Sequence, residues 1–209
     1  MIYVIKCYAL GAERDVNYLA HLHLAYVTST SLEGALMGDF VKGKNLDAYS
    51  DEQRIAIRLH RKIDRFTEDS SVIQAAKRSF RSENRRFSGI ALDVFWDHCL
   101  ALDLVEQGKI RHFLSFVYET LETKEPTFVT SFEELRAAIL EYRWFESFTE
   151  FAAVERTLAR ITQRKPRMSH LLQCVGDLEE NYEALKGRFV SFYPELSGAS
   201  KQWVDELRG

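Results

Sequence analysis

The sequence predicts a single all-α domain, a helical bundle, on three observations. Only three prolines and ten glycines occur in 209 residues, too few for a turn-rich β fold. Apolar residues recur at helical spacing through most of the chain, as around Phe148 to Glu155 and Leu185 to Phe189. Helix-start signals precede several of these runs: Ser31 stands before LEGALM, and Ser50 is followed three residues on by Gln53, a capping box.

Taken in order, residues 1–16, which open MIYVIKCY, differ from the rest. They read as an N-terminal extension to a domain spanning residues 17–209, and a second reading puts the natural start at Val16. Asn17 is expected to cap a helix through YLAHLHLAYV, which is apolar nearly all round and so should be buried. His21 and His23 lie on it about 200° apart, on opposite faces. Ser31 opens a second helix, LEGALMGDFV, expected to carry Asp39. The helix from Ser50 is long and carries His60 and Asp64. SSVIQAAKRSFRSE is amphipathic and ends in the basic stretch Arg81 to Arg86. Residues 89–106 carry DVFWDH and close at Gly108. Further helices are expected near 109–122, 131–142, 144–163, 168–186 and 187–193, with Pro126, Pro166 and Pro194 at the breaks between segments.

Composition narrows the function classes. The net charge of −3 argues against a chain that binds nucleic acid by charge alone, and no nucleic-acid motif is present. Cys7, Cys99 and Cys174 are far apart and show neither finger spacing nor a disulfide framework, which suits a reducing cytoplasm. No apolar run approaches the roughly 20 residues of a membrane span, and the start lacks a basic leader. GDFVKGKN (Gly38 to Asn45) approaches a phosphate-binding loop, but Asn45 stands where Ser or Thr should be and no strand precedes it. No GxSxG elbow occurs.

What remains is a set of imidazoles and acids in apolar helices. His60 and Asp64, four residues apart, share a helix face, and Asp93 and Asp97 repeat that spacing with His98 adjoining. The candidate metal ligands are His21 or His23, Asp39, His60, Asp64, Asp97 and His98. Such a donor set suits manganese, iron, zinc or magnesium, and open positions on the ion would activate water against a phosphate. Each residue has a plain alternative: a core histidine with a hydrogen-bond partner, or Asp64 paired with a nearby arginine. The accumulation favours a site, because unpartnered burial of so many polar groups costs several kcal/mol each. The basic runs Arg58 to Arg65, Lys77 to Arg86 and Gln163 to Arg167 are solvated faces or a docking face for an anionic partner.

The motifs NYLAHLHLA, SLEGALMGDFVKG, LHRKIDRFTED, FRSENRRFSGIALDVFWDHCL, RKPRMSHLL and FYPEL, ordered from Asn17 to about Pro194, together resemble the bacterial acyl carrier protein phosphodiesterases. The resemblance implies an all-α, HD-type phosphohydrolase fold and manganese dependence, with Mg²⁺ or Fe²⁺ as alternatives. It also implies hydrolysis of the phosphodiester that joins 4′-phosphopantetheine to a serine of holo acyl carrier protein. HD proteins use an adjacent His-Asp pair, and this chain has none. The nearest equivalents are His60 with Asp64 and the reversed pair Asp97-His98. On that basis His21, Asp39, His60 and Asp97 are expected to hold the ion, with His23 as second choice. Asp64 or His98 would orient water or protonate the leaving oxygen. Arg58, Arg61, Arg65, Arg81, Arg85 and Arg86 would grip the phosphate and an acidic carrier. Two other readings are a nucleotide phosphohydrolase of HD type and a non-catalytic helical module that binds an acidic partner.

Overall fold

The computed structural model describes residues 18–164 and 166–209, and every regular element among them is helical. The α-helices are α1 (Tyr18–Val27), α2 (Leu32–Met37), α3 (Asp51–Asp69), α4 (Ser71–Arg78), α5 (Ser88–Glu106), α6 (Ile110–Thr123), α7 (Thr130–Tyr142), α8 (Ala152–Arg164), α9 (Cys174–Glu180) and α10 (Tyr182–Arg208). The fold class read from the sequence is the one observed. Residues 1–16, the Val16 start and the Asn17 cap lie outside the described residues.

The bundle is built around α5. Phe95, Trp96, Cys99, Leu100 and Leu104 are buried, and so are Ala91, Leu92 and Val94 on its other faces. Helices α1, α4, α6, α8, α9 and α10 pack on it. Helix α1 is buried on nearly every side, as its composition requires. Helix α3 buries Ile55, Ala56, Ile57, Leu59, His60 and Ile63 and turns its charged face outward. Helix α2 lies close on α3, and the approach needs a glycine. A Cβ on Gly34 would sit 2.7 Å from Ala56 Cβ and 2.9 Å from the Gln53 carbonyl.

The predicted caps at Ser31 and at Ser50 with Gln53 are both made, and Gly108 takes positive φ (68°) after α5. Five boundaries differ from expectation, the first being residues 168–186, which divide into a 3-10 helix (Pro166–Leu171), α9 and the start of α10. Helix α2 ends at Met37, because the amides of Phe40 and Val41 both turn back to the Met37 carbonyl and leave Asp39 in a turn. Helix α4 ends at Arg78, so the basic run from Arg81 to Arg86 lies in turns and a short 3-10 helix. Residues 144–163 divide into a 3-10 helix (Trp144–Thr149) and α8. Helix α10 runs straight through Pro194. Proline removes one hydrogen bond and crowds the carbonyl four residues back, yet Phe192, Tyr193, Leu196 and Val204 are buried on both sides of it. Their burial holds the helix together.

Asp97 explains how α1 begins. Its two carboxylate oxygens accept the amide hydrogens of Leu19 (3.0 Å) and Ala20 (2.9 Å), donors that a helix leaves free in its first turn. These two amides are thus capped from a helix 77 residues away. Asp97→Ala should destabilise the protein by about 1–3 kcal/mol, the cost of leaving buried amides unpaired. Urea denaturation followed by circular dichroism measures it.

Candidate metal centre

His60 is built into the α2–α3 contact. Its ring is 2% exposed and lies against Gly38, where an added Cβ would come within 2.2 Å of His60 Cγ. Its Nδ1 stands 2.7 Å from the Ala35 carbonyl. A carbonyl only accepts, so Nδ1 carries the hydrogen and donates it. Nε2 then points at two carboxylates, Asp39 Oδ1 at 2.9 Å and Asp64 Oδ2 at 3.2 Å. A neutral imidazole held this way would turn a lone pair toward acceptors. The geometry therefore demands a positive charge at that spot, either a proton or a metal ion.

His21 comes from α1 and stacks on His60, with ring centroids 3.9 Å apart and planes 16° from parallel. Its Nε2 is 3.2 Å from Asp64 Oδ1, an ion-pair contact. Neither ring nitrogen of His21, nor Asp39 Oδ2, finds a hydrogen-bond partner among the described residues, although all three are buried. Orphaned polar atoms are few in folded proteins, and here three meet at one place. One ligand atom each from His21, His60 and Asp64 lies within 4.8 Å of the others, and Asp39 adjoins through His60. Two imidazole nitrogens and carboxylate oxygens are a donor set for a divalent transition ion, so the residues fit one. Asp64 has 47% of its side chain exposed while Asp39 has 2%, which makes the Asp64 side the open one.

Charge follows from this layout. Burial lowers His60's proton affinity, but hydrogen bonding and attraction from Asp39 and Asp64 outweigh it and carry the pKa well above 6.5. Burial, then the neighbouring His60, lowers His21. Burial also opposes ionisation of Asp64, yet the two imidazoles hold its carboxyl well below 3.8. These opposite directions favour a single proton in the stack, on His60.

The remaining candidates lie elsewhere. His23 faces away from His21, its Nδ1 2.7 Å from the Tyr193 hydroxyl, and burial lowers its pKa to about 4. His98 donates from Nδ1 to the Phe148 carbonyl (2.7 Å) and bonds the Tyr182 hydroxyl through Nε2 (2.8 Å). Asp97, expected as a ligand, has its oxygens on the α1 amides. Arg58 and Arg65 are exposed on α3. Arg61 is turned to a loop, donating to the carbonyls of Val41 and Gly43 (both 2.8 Å). Arg81 pairs with Asp177 and Glu180, Arg85 bonds the Phe80 carbonyl, and Arg86 lies over the Phe87 ring. Cys99 and Cys174 are free and buried, their thiols pushed up to about 12 by burial.

One residue was passed over. Asp93 on α5 is pushed up to about 7, by burial first and then by the charges of Asp64 and Asp39, against the pull of Lys77. Asp93 is thus within electrostatic reach of the centre. The spacing of Asp93 to Asp97 was visible, but not which of the two turns toward His60.

The chain matches, over residues 16–196, the family described as acyl carrier protein phosphodiesterase. It belongs to that family. Among relatives so named, one from Enterobacter sp. (strain 638) is 34% identical over 189 residues, covering 89% of this chain and 98% of the relative. One from Pectobacterium atrosepticum has the same identity and coverage. One from Escherichia coli (strain K12 / DH10B) is 33% identical over 184 residues, 87% of this chain and 95% of the relative. No solved structure matches the chain. No helix among the described residues is long and apolar enough to cross a membrane.

Two outcomes follow from the centre. Gly38→Ala should displace His60 and weaken divalent-ion binding by at least about tenfold, the scale on which supporting contacts act; calorimetric titration with Mn²⁺ reads it. In the metal-free protein, His60's raised pKa makes its contribution to stability complete below 6.5, and that contribution fades as pH rises through the folded value. Asp64's lowered pKa makes its contribution present above 3.8 and lost as pH falls toward the folded value. Near neutral pH, then, metal uptake should expel about one proton. The apparent binding enthalpy should change with the ionisation enthalpy of the buffer, and affinity should fall as pH drops.

Proposed function

We propose that this chain is a metal-dependent phosphodiesterase that removes 4′-phosphopantetheine from holo acyl carrier protein, leaving the apo carrier. Family membership supports the reaction. The single observation that supports the metal is the His60 nitrogen aimed between Asp39 and Asp64, with His21, whose ring nitrogens find no hydrogen-bond partner among the described residues, stacked on it. His21, Asp39, His60 and Asp64 would hold the ion, and manganese is our choice for this mixed imidazole and carboxylate set. When bound, such an ion polarises phosphoryl oxygens and makes a water acidic enough to attack near neutral pH.

The chain's own residues do the rest. The Ala35 carbonyl and Gly38 fix the His60 ring, so Nε2 cannot turn away. Asp64, half exposed, marks the side from which a phosphodiester enters. The reaction breaks the bond from phosphorus to the serine oxygen, which needs a proton. We assign that proton to Asp93 rather than His98. Burial and the charges of Asp64 and Asp39 push the Asp93 carboxyl up to about 7 in the metal-free protein, whereas both His98 nitrogens are engaged. Arg58 and Arg65, exposed on the helix that carries His60 and Asp64, offer positive charge to an acidic carrier. Free, buried thiols support a cytoplasmic location.

His60→Ala and Asp64→Ala should each lower turnover of holo carrier about a thousandfold or more, the several kcal/mol an activated ion supplies, while circular dichroism shows the helices intact. The readout is the mass of the carrier, which falls when its arm is lost. A nucleotide panel run in parallel should stay unhydrolysed; hydrolysis there, with the carrier untouched, would favour the nucleotide reading.

A further inference from the structure

The segment GDFVKGKN is no phosphate loop, yet it has a definite task. Asp39 sits at its start, and the chain then folds over α3. Two carbonyls of this loop, Val41 and Gly43, receive the two terminal nitrogens of Arg61, each at 2.8 Å. A planar guanidinium can fork to two acceptors in this way, and an ammonium cannot match it. The loop must turn sharply to present both carbonyls on one side. Gly43 permits that with φ +82°, in a position open enough that an added Cβ meets nothing within 4 Å. Lys42 closes the other end by donating from Nζ to the Asp39 carbonyl (3.0 Å). Val41 and Leu46 are buried beneath the loop.

Arg61 immediately follows His60 in the chain. Its backbone is therefore fixed to the helix that holds His60, while its side chain is fixed to the loop that carries Asp39. We infer that Arg61 is a positioning residue for the metal centre: its fork on the Val41 and Gly43 carbonyls sets the distance between Asp39 and His60, and it does not touch the substrate. Asp39 needs such support, because it lies past the end of α2 and its Oδ2 has no hydrogen-bond partner among the described residues. This inference rests on the metal centre proposed above.

The test compares wild type with Arg61→Ala, Arg61→Lys and Gly43→Ala. Mn²⁺ affinity is measured by calorimetry, and KM and kcat for holo carrier are measured at saturating Mn²⁺. Arg61→Ala should weaken Mn²⁺ binding roughly 10- to 100-fold, the range for residues that support ligands, with Arg61→Lys in between. Gly43→Ala alters no charge and meets no neighbour, but strains the left-handed loop. It should shift affinity in the same direction, and it keeps the test decisive should Arg61→Ala fail to fold. KM for the carrier at saturating Mn²⁺ should stay near wild type. Unchanged Mn²⁺ affinity in Arg61→Ala and Gly43→Ala overturns the inference, and a raised KM in Arg61→Ala then makes Arg61 a substrate contact. Absence of Mn²⁺ uptake by wild type overturns the metal centre and this inference together.

Discussion

One imidazole nitrogen sets the terms for the rest of the structure. With its other nitrogen committed to the Ala35 carbonyl, the buried His60 Nε2 faces two carboxylates, one of them buried and the other half exposed. Two acids and a lone pair cannot share such a spot without a cation, and burial raises the stakes by weakening the screening between them. Much nearby structure serves that arrangement. Gly38 makes room for the ring, Gly34 lets α2 close on α3, and the turn after Met37 swings Asp39 into place. The ring of His21 is delivered by α1, whose first turn is anchored in turn by Asp97 on α5.

Two sets of buried histidines and aspartates contrast. Asp97, His98 and Asp177 are saturated. Asp177 takes the Asn84 side-chain amide (2.6 Å) and the backbone amide of Arg81 (3.4 Å), with the Arg81 side chain paired beside it. These groups tie together elements remote in sequence. The second set, His21 and Asp39 Oδ2 beside the crowded His60 Nε2, finds no hydrogen-bond partner among the described residues. A satisfied polar group is complete in itself, while an unsatisfied cluster points to something from outside. That contrast separates scaffold from site here better than residue type does, since both sets contain histidines and aspartates.

Much of the fold was legible because helices obey local rules. The Ser31 and Ser50 caps, the stop at Gly108, the burial of α1 and the opposed faces of His21 and His23 all follow from spacing and side-chain chemistry within a few residues. Pro194 was misjudged for a nonlocal reason: burial of residues on either side outweighs its local cost. The basic run near Arg81 looked available as a docking face, but Arg81 is engaged by acids of α9 almost 100 residues later, Asp177 and Glu180.

Sequence alone determined the helical class, the pairing of His60 with Asp64 on one face, the family motifs and the limits that charge and cysteine usage place on function. Each is a property of neighbours along the chain or of composition. Tertiary structure decided which acid meets which imidazole. Asp93 and Asp97 share one helix and one spacing, yet Asp97 is spent on the amides of α1 while Asp93 is subject to the charges of Asp64 and Asp39. Asp39 reaches His60 only because α2 stops early. Those choices depend on how helices pack against one another, and no local periodicity encodes the distance between two helices.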